Sequence, residues 1–165
     1  MPQAHLIVGA TGAGKTTYAQ QLVKTGGGIR FSIDEWMKNL FRMDAPNPPT
    51  YAWMLERVER CEAQALEVAS QALGQGVDVV LDLGFFSQAQ RSRVNHYLAQ
   101  QKGKVKLHYL DIPAATRWER VKERNAQKGE TFTMDISAEV FQFAETLFET
   151  PTAEELKTAV VIRLD

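Results

Sequence analysis

Residues 9–16 read GATGAGKT and satisfy the spacing G-x-x-x-x-G-K-[ST] at every fixed position. The segment follows a short apolar run, HLIVG, and precedes a series of good helix formers from Lys15 to Lys24, so it reads as strand, loop and helix. This context constrains the fold more than any other stretch. A loop between strand and helix that carries glycines can wrap an anion with backbone N–H groups, because glycine reaches φ values closed to other residues and leaves no side chain in the way. A glycine turn that merely caps a helix has no need of a lysine and a hydroxyl residue at these two positions. In a chain of this length the full spacing should arise by chance in well under roughly one case in a hundred.

The remaining elements follow a strand–helix alternation. IRFSID (Ile29 to Asp34) reads as a second strand and places Asp34 at its end. WMKNLFRM suggests a short helix ended by the turn-forming DAPNPPT. From Tyr51 to Leu73 apolar residues recur at helical spacing. VDVVLDLG is almost continuously apolar, as in a strand covered on both faces, and carries Asp82 near its end. A helix from Ser87 to Gln101, the strand KVKLHYLDI, a helix opened by Pro113, a helix beginning near Ser137 and the strand TAVVIRL complete the pattern. The alternation predicts a doubly wound α/β domain with five parallel strands and ligands at the carboxyl ends of the strands. One domain over residues 1–165 is the expectation at this length.

Composition bounds the partners. A formal net charge of −1 with 24% charged residues argues against a chain that grips nucleic acid by overall electrostatics. With Cys61 as the one cysteine, no intramolecular disulfide can form. A cytoplasmic location is expected from that and from an N-terminus with no signal-peptide or membrane-span pattern. Cys61 lies on a charged helical stretch and reads as a packing residue. His5, His96 and His108 show no ligand spacing and read as structural.

Within this frame the loop Gly9, Ala10, Thr11, Gly12, Ala13, Gly14 is expected to hold the phosphates of ATP. Lys15 would supply charge to the β- and γ-phosphates and the Thr16 hydroxyl would ligate Mg2+. Thr17 is either an ordinary first-turn residue or a contact to the α-phosphate. Asp34 and Asp82 should open onto the same crevice. Asp34 is assigned as the base that takes the acceptor's proton, with a helix N-cap as its bland alternative. Asp82 is assigned to the metal or its waters. Asp111, before Ile112 and Pro113, reads as a turn residue.

The helix TRWERVKERNAQKGE sets Arg117, Arg120 and Arg124 on one face, with Lys128 beyond. Arg117 and Arg120 read as a solvated face paired with Glu119 and Glu123. Arg124 and Lys128 flank a glycine-containing segment and read as lid cations that reach the donor phosphates. The lid is placed at about 114–135.

GATGAGKTTYA, SIDEW, VVLDLGFFSQAQR, ERVKERNAQKGE and FETPTAEE, in this order, resemble the P-loop kinase group. That group contains polynucleotide 5′-kinases, chloramphenicol phosphotransferases, zeta toxins and gluconate kinases, AAA-domain P-loop ATP-binding proteins. The resemblance implies a P-loop NTPase three-layer αβα sandwich with a helical lid. It also implies a general-base role for Asp34, lid roles for Arg124 and Lys128, and a position near the nucleotide base for FETPTAEE, which otherwise reads as a helix end followed by a Pro-initiated helix. Polynucleotide kinases carry an arginine three residues after the base, where this chain has Met37, and the second lid position here is lysine. Phe85 and Phe86 read either as core or as walls of an acceptor pocket, with Trp36, Phe41 and Trp53 as further wall candidates. The leading expectation is a kinase that passes the γ-phosphate of Mg-ATP to a small hydroxyl-bearing molecule. The alternatives are a nucleic-acid 5′-end kinase and a nucleotide-dependent regulatory module.

Overall fold

The computed structural model describes residues 1–129 and 134–164. Its centre is a parallel sheet of five strands: β1 (Gln3–Val8), β2 (Ile29–Ser32), β3 (Val79–Asp82), β4 (Lys104–Leu110) and β5 (Val160–Ile162). They lie in the order β2-β3-β1-β4-β5. The chain therefore leaves β1 toward one edge of the sheet and later crosses to the other, so the strand order reverses beside β1. A crevice opens at such a switch point, above the carboxyl ends of the strands. The loop after β1 lies there because of this topology.

Helices cover both faces. On one side α3 (Tyr51–Gly74) and α4 (Gln88–Ala99) pack on the sheet, where Leu66, Leu73, Val94 and Leu98 meet Leu6, Val8 and Leu81. Full burial of each leucine contributes about 1.5–3 kcal/mol. Thr50 starts α3 by accepting a hydrogen bond from the Trp53 amide. Cys61 is buried on the inward stripe of α3, and burial pushes its thiol pKa up, as suits a packing residue. On the other side α1 (Lys15–Gly26) sets Ala19, Leu22 and Val23 against Ile7, Val80 and Leu110.

Two expected boundaries move. The second strand stops at Ser32, and Asp34 belongs to helix α2 (Ile33–Leu40) rather than to a strand end. The Ser32 side chain caps that helix by accepting from the Glu35 amide, so Asp34 is not its N-cap. A serine in extended conformation satisfies a helix-start donor and ends strand pairing in one residue, a local competition that β-branched composition does not reveal. The C-terminal region holds α5 (Ala114–Gln127), α6 (Ala138–Leu147) and a short α7 (Ala153–Leu156). In α7, Thr152 and Glu155 form a capping box just after Pro151. Residues 130–133 of the expected lid lie outside the described residues. No described helix is long and apolar enough to cross a membrane.

His5 and His108 sit on neighbouring strands with Nδ1 and Nε2 2.9 Å apart, and the Tyr18 hydroxyl lies 2.7 Å from His108 Nδ1. One imidazole donates and the other accepts, so the accepting ring is neutral. Burial pushes His108 from 6.5 down to about 4, aided by His5 and Lys106. It pushes His5 the same way against the pull of Asp78. The unfolded chain then binds protons that the folded chain refuses, so stability falls as pH drops from about 6.5 toward 4. By pH 5 the loss from His108 is roughly 2 kcal/mol. Thermal melts should show a Tm roughly 4–8 °C lower at pH 5 than at pH 7, with the difference flattened in His108→Gln. An equally steep decline in that variant would remove the pair as its cause.

Candidate functional site

The loop between β1 and α1 is shaped by two glycines with positive φ, Gly12 at 81° and Gly14 at 91°. At Gly12 an added Cβ would stand 2.5 Å from the Arg117 carbonyl oxygen, so the position is closed to any side chain. Gly14 is the N-cap of α1, and the Ala13 amide donates to the Ala10 carbonyl at 3.1 Å across the turn. The Lys15 ammonium folds over the loop, donating to Gly9 O at 2.7 Å and Ala10 O at 3.3 Å. It also lies 5.4 Å from the Phe86 ring centroid. Burial pushes its pKa down, Asp82 and then Asp34 oppose the shift, and Arg124 and Arg117 add to it. These four charges therefore all act on Lys15.

Thr16 Oγ1 donates to Asp82 Oδ2 at 3.0 Å, joining the first turn of α1 to the end of β3. Burial raises the Asp82 pKa, Lys15 lowers it, and Asp34 raises it again. Asp34 thus acts on Asp82 across the crevice. Asp34 is exposed in the first turn of α2. The fold brings Lys15, Thr16, Asp82, Asp34 and Arg124 to one place from four different elements. Thr17 is exposed in the first turn of α1. Arg124 is half-buried, and its Nε is buried with no hydrogen-bond partner among the described residues. Lys128 ends α5 in a left-handed conformation, with its ammonium 3.9 Å from Asp135.

Arg117 does not lie on the solvated face expected of it, whereas Arg120 is exposed as expected. Arg117 is buried: its Nε donates to Ile112 O at 2.9 Å and its Nη1 to Thr11 O at 3.2 Å. Both Nη atoms bind the Glu145 carboxylate of α6. Arg120 donates to Ala13 O at 3.1 Å. Helix α5 lies across the loop, so both side chains reach loop carbonyls, Arg117 from a buried position and Arg120 from an exposed one. Removing one partner of a buried charge pair such as Arg117–Glu145 costs about 3–5 kcal/mol.

A second buried arginine supports the other wall. Arg91 of α4 donates to Phe85 O and Phe86 O, and its Nε and Nη2 hold Glu155 at 2.7 and 3.2 Å. The Glu149 amide donates to Phe86 O at 2.7 Å. The segment from Phe148 to Glu155 is thereby held against the loop after β3. It also borders a cavity of about 260 Å³ beside Ala10, with Phe148 and Thr150 in its wall. Phe85 is buried in the core, while Phe86 is half-buried beside Lys15 and meets Phe148 edge-on. Phe85 is thus a core residue, and Phe86 lies beside the Lys15 ammonium. Arg91 and Glu155 each end a segment that carries the family resemblance, Glu145 lies in none, and the pairing of their charges appears only across the fold.

The residues fit a metal-bound polyphosphate. Gly12 leaves the loop no room for a side chain against α5, the hydroxyl and carboxylate of Thr16 and Asp82 are hard oxygen donors suited to Mg2+, and Arg124 has a buried donor to spare.

Comparison with solved structures shows the same fold in kinases. A sugar kinase from a Janibacter species matches with a TM-score of 0.65 at 16% identity, covering 99% of this chain and 86% of that one. A gluconokinase from Sinorhizobium meliloti matches with a TM-score of 0.62 at 14% identity, covering 98% and 82%. Kti12 from Chaetomium thermophilum, solved in complex with ADP-AlF3, matches with a TM-score of 0.71 at 13% identity, covering 98% and 89%. A search of curated protein sequences finds no match. Residues 5–151 match the family model described as AAA domain, and with its glycine-rich loop at the switch point of a parallel sheet the chain belongs to that family.

Proposed function

We propose that the protein transfers the γ-phosphoryl group of Mg-ATP to a hydroxyl of a small molecule. The observation that carries this reading is the convergence of Lys15, Arg124, Asp82 and exposed Asp34 on one crevice, since a nucleotide-binding module alone has no need of a free carboxylate facing its phosphate site. Loop amides from Gly9 to Gly14 and the amino end of α1 bind the phosphates. Lys15 exchanges its contacts with Gly9 O and Ala10 O for phosphate oxygens. Arg124 turns its spare donor to the transferring group, and Lys128 adds charge from the end of α5. Thr17 adds a contact to the α-phosphate. Thr16 and Asp82 hold Mg2+ directly or through water, and the ion, when bound, neutralises charge on the β- and γ-oxygens.

Asp34 aligns the acceptor hydroxyl and accepts its proton as the new O–P bond forms and the bond from γ-phosphorus to the β,γ-bridging oxygen breaks, leaving ADP. Supporting likenesses are the sugar kinase and gluconokinase folds. The test is transfer of labelled γ-phosphate from Mg-ATP to an array of hydroxyl compounds, with calorimetry of Mg-ATP binding alongside. Label on at least one small molecule is expected. ATP binding with no acceptor in a broad array would sink the phosphotransferase and leave a nucleotide-dependent module.

A further inference from the structure

The acceptor side of the crevice contains a cation that the reaction does not use. Asp34 and Phe41 are seven residues apart, two turns of α2 and its C-cap, so their side chains leave the helix on nearly the same face. Phe41 then stands about 10 Å farther along the axis, with Met37 between them. Helix α3 runs beside this stripe and sets Val58 in the same apolar layer as Met37 and Phe41. From α3 the Arg57 guanidinium lies 4.0 Å from the Trp53 ring centroid and 5.9 Å from that of Phe41.

Three arginines of the crevice walls are held by carboxylates. Arg30 is bound by Glu35, Arg91 by Glu155 and Arg117 by Glu145, each through a close ion pair. Arg57 Nη1 donates to the Trp53 carbonyl at 3.0 Å, and its nearest carboxylate, exposed Glu56, stands 3.7 Å away. The plane of the guanidinium is thus fixed by aromatic rings while most of its edge N–H groups are left without a hydrogen bond among the described residues. A fork held by its faces and open at its edge is arranged for bidentate contact with a carboxylate or phosphate.

The mouth of the crevice limits what can reach that fork. Tyr51, the first residue of α3, meets Phe143 of α6 edge-on with ring centroids 5.4 Å apart. Helix α6 belongs to the phosphate-loop side through Glu145, whereas α3 belongs to the Asp34 side. The aromatic pair therefore spans the gap between the two sides at its solvent rim, which favours a compact molecule over a polymer strand.

We propose that the acceptor is a small hydroxyl-bearing anion, its hydroxyl at Asp34 and its carboxylate or phosphate monoester on the Arg57 fork. The Asp34 end rests on the phosphotransferase reading; the Arg57 end stands without it. Hydroxy-acids and sugar phosphates carry both groups on one small molecule.

The test is calorimetric titration of the full chain, saturated with Mg2+ and a non-hydrolysable ATP analogue so that the phosphate loop is filled. The probes are six-carbon hydroxy-acids, sugar monophosphates, the matching uncharged polyols and sugars, and a 5′-hydroxyl oligonucleotide. At least one small anion should bind saturably and its uncharged counterpart at least tenfold more weakly; the hydroxy-acid and phosphate arms show which anion the fork takes. Arg57→Gln should weaken that binding about 10- to 100-fold and Arg57→Lys less, with nucleotide affinity and Tm nearly unchanged. Where transfer occurs, Arg57→Gln should raise KM for the anion with kcat within about threefold. Equal binding of uncharged counterparts, undiminished binding by Arg57→Gln, binding of the oligonucleotide alone, or no anion binding would each overturn the proposal. Anion binding without transfer leaves the Arg57 site standing and defeats the phosphotransferase reading. Transfer to an uncharged acceptor does the reverse.

Discussion

Asp34→Asn should lower phosphoryl transfer roughly 100- to 10,000-fold, the range lost with a general base, while Mg-ATP affinity stays within about threefold. The amide has the shape of the carboxylate and can still orient a hydroxyl, but it cannot take a proton. Its electrostatic effect on nucleotide binding is small because two changes offset. Asp34 supports the charged form of Lys15, and Asp34 also raises the pKa of Asp82. Removing its charge withdraws some support from the ammonium and lets Asp82 ionise more readily as a metal ligand. Single-turnover transfer and calorimetry on the same preparation separate chemistry from binding. Transfer by the variant at the parent rate removes Asp34 from the mechanism, whatever becomes of ATP affinity.

Lys15→Ala should weaken Mg-ATP binding at least about 100-fold and bring transfer below detection, since one preorganised donor to a transferring group is already worth roughly 100- to 1,000-fold. The ammonium is the common partner of two loop carbonyls and of the charges on Asp82 and Asp34. Without it the two carboxylates lose the ammonium that both of them act on, and the polyphosphate adds further negative charge. Loss of affinity with the melting temperature nearly kept would show that Lys15 serves the ligand rather than the fold. Mg-ATP affinity equal to that of the parent chain would end the phosphate-loop reading altogether.

The parts of this site that were legible in the sequence are local. Gly12 and Gly14 announce a loop that must close tightly, and Lys15 and Thr16 follow at fixed offsets because one turn of helix sets where they point. Near-continuous apolar character marked β3 and helical spacing marked α3, since periodicity reports which faces are buried wherever the partner is the sheet. The error at Asp34 was also local: Ser32 can extend a strand or cap a helix, and the choice turns on a single hydrogen bond to Glu35.

The charges were not legible. Arg117 and Arg120 have the spacing of a solvated helical face, and nothing within α5 distinguishes them from Arg124. What separates them is that α5 lies on the phosphate-binding loop, so that Arg117 finds a carboxylate 28 residues away on α6 and a carbonyl 106 residues away at Thr11. His5 and His108, 103 residues apart, became partners because β1 and β4 are neighbours in the sheet. By itself the sequence determined that strands and helices alternate and that a phosphate-binding loop follows the first strand, because backbone conformation and hydrophobic period are properties of a few consecutive residues. Tertiary structure alone decided which cations clamp the loop, which aromatic ring faces Lys15 and which arginine is left open at its edge, because a charge has a partner only after distant segments have been brought within a few ångströms.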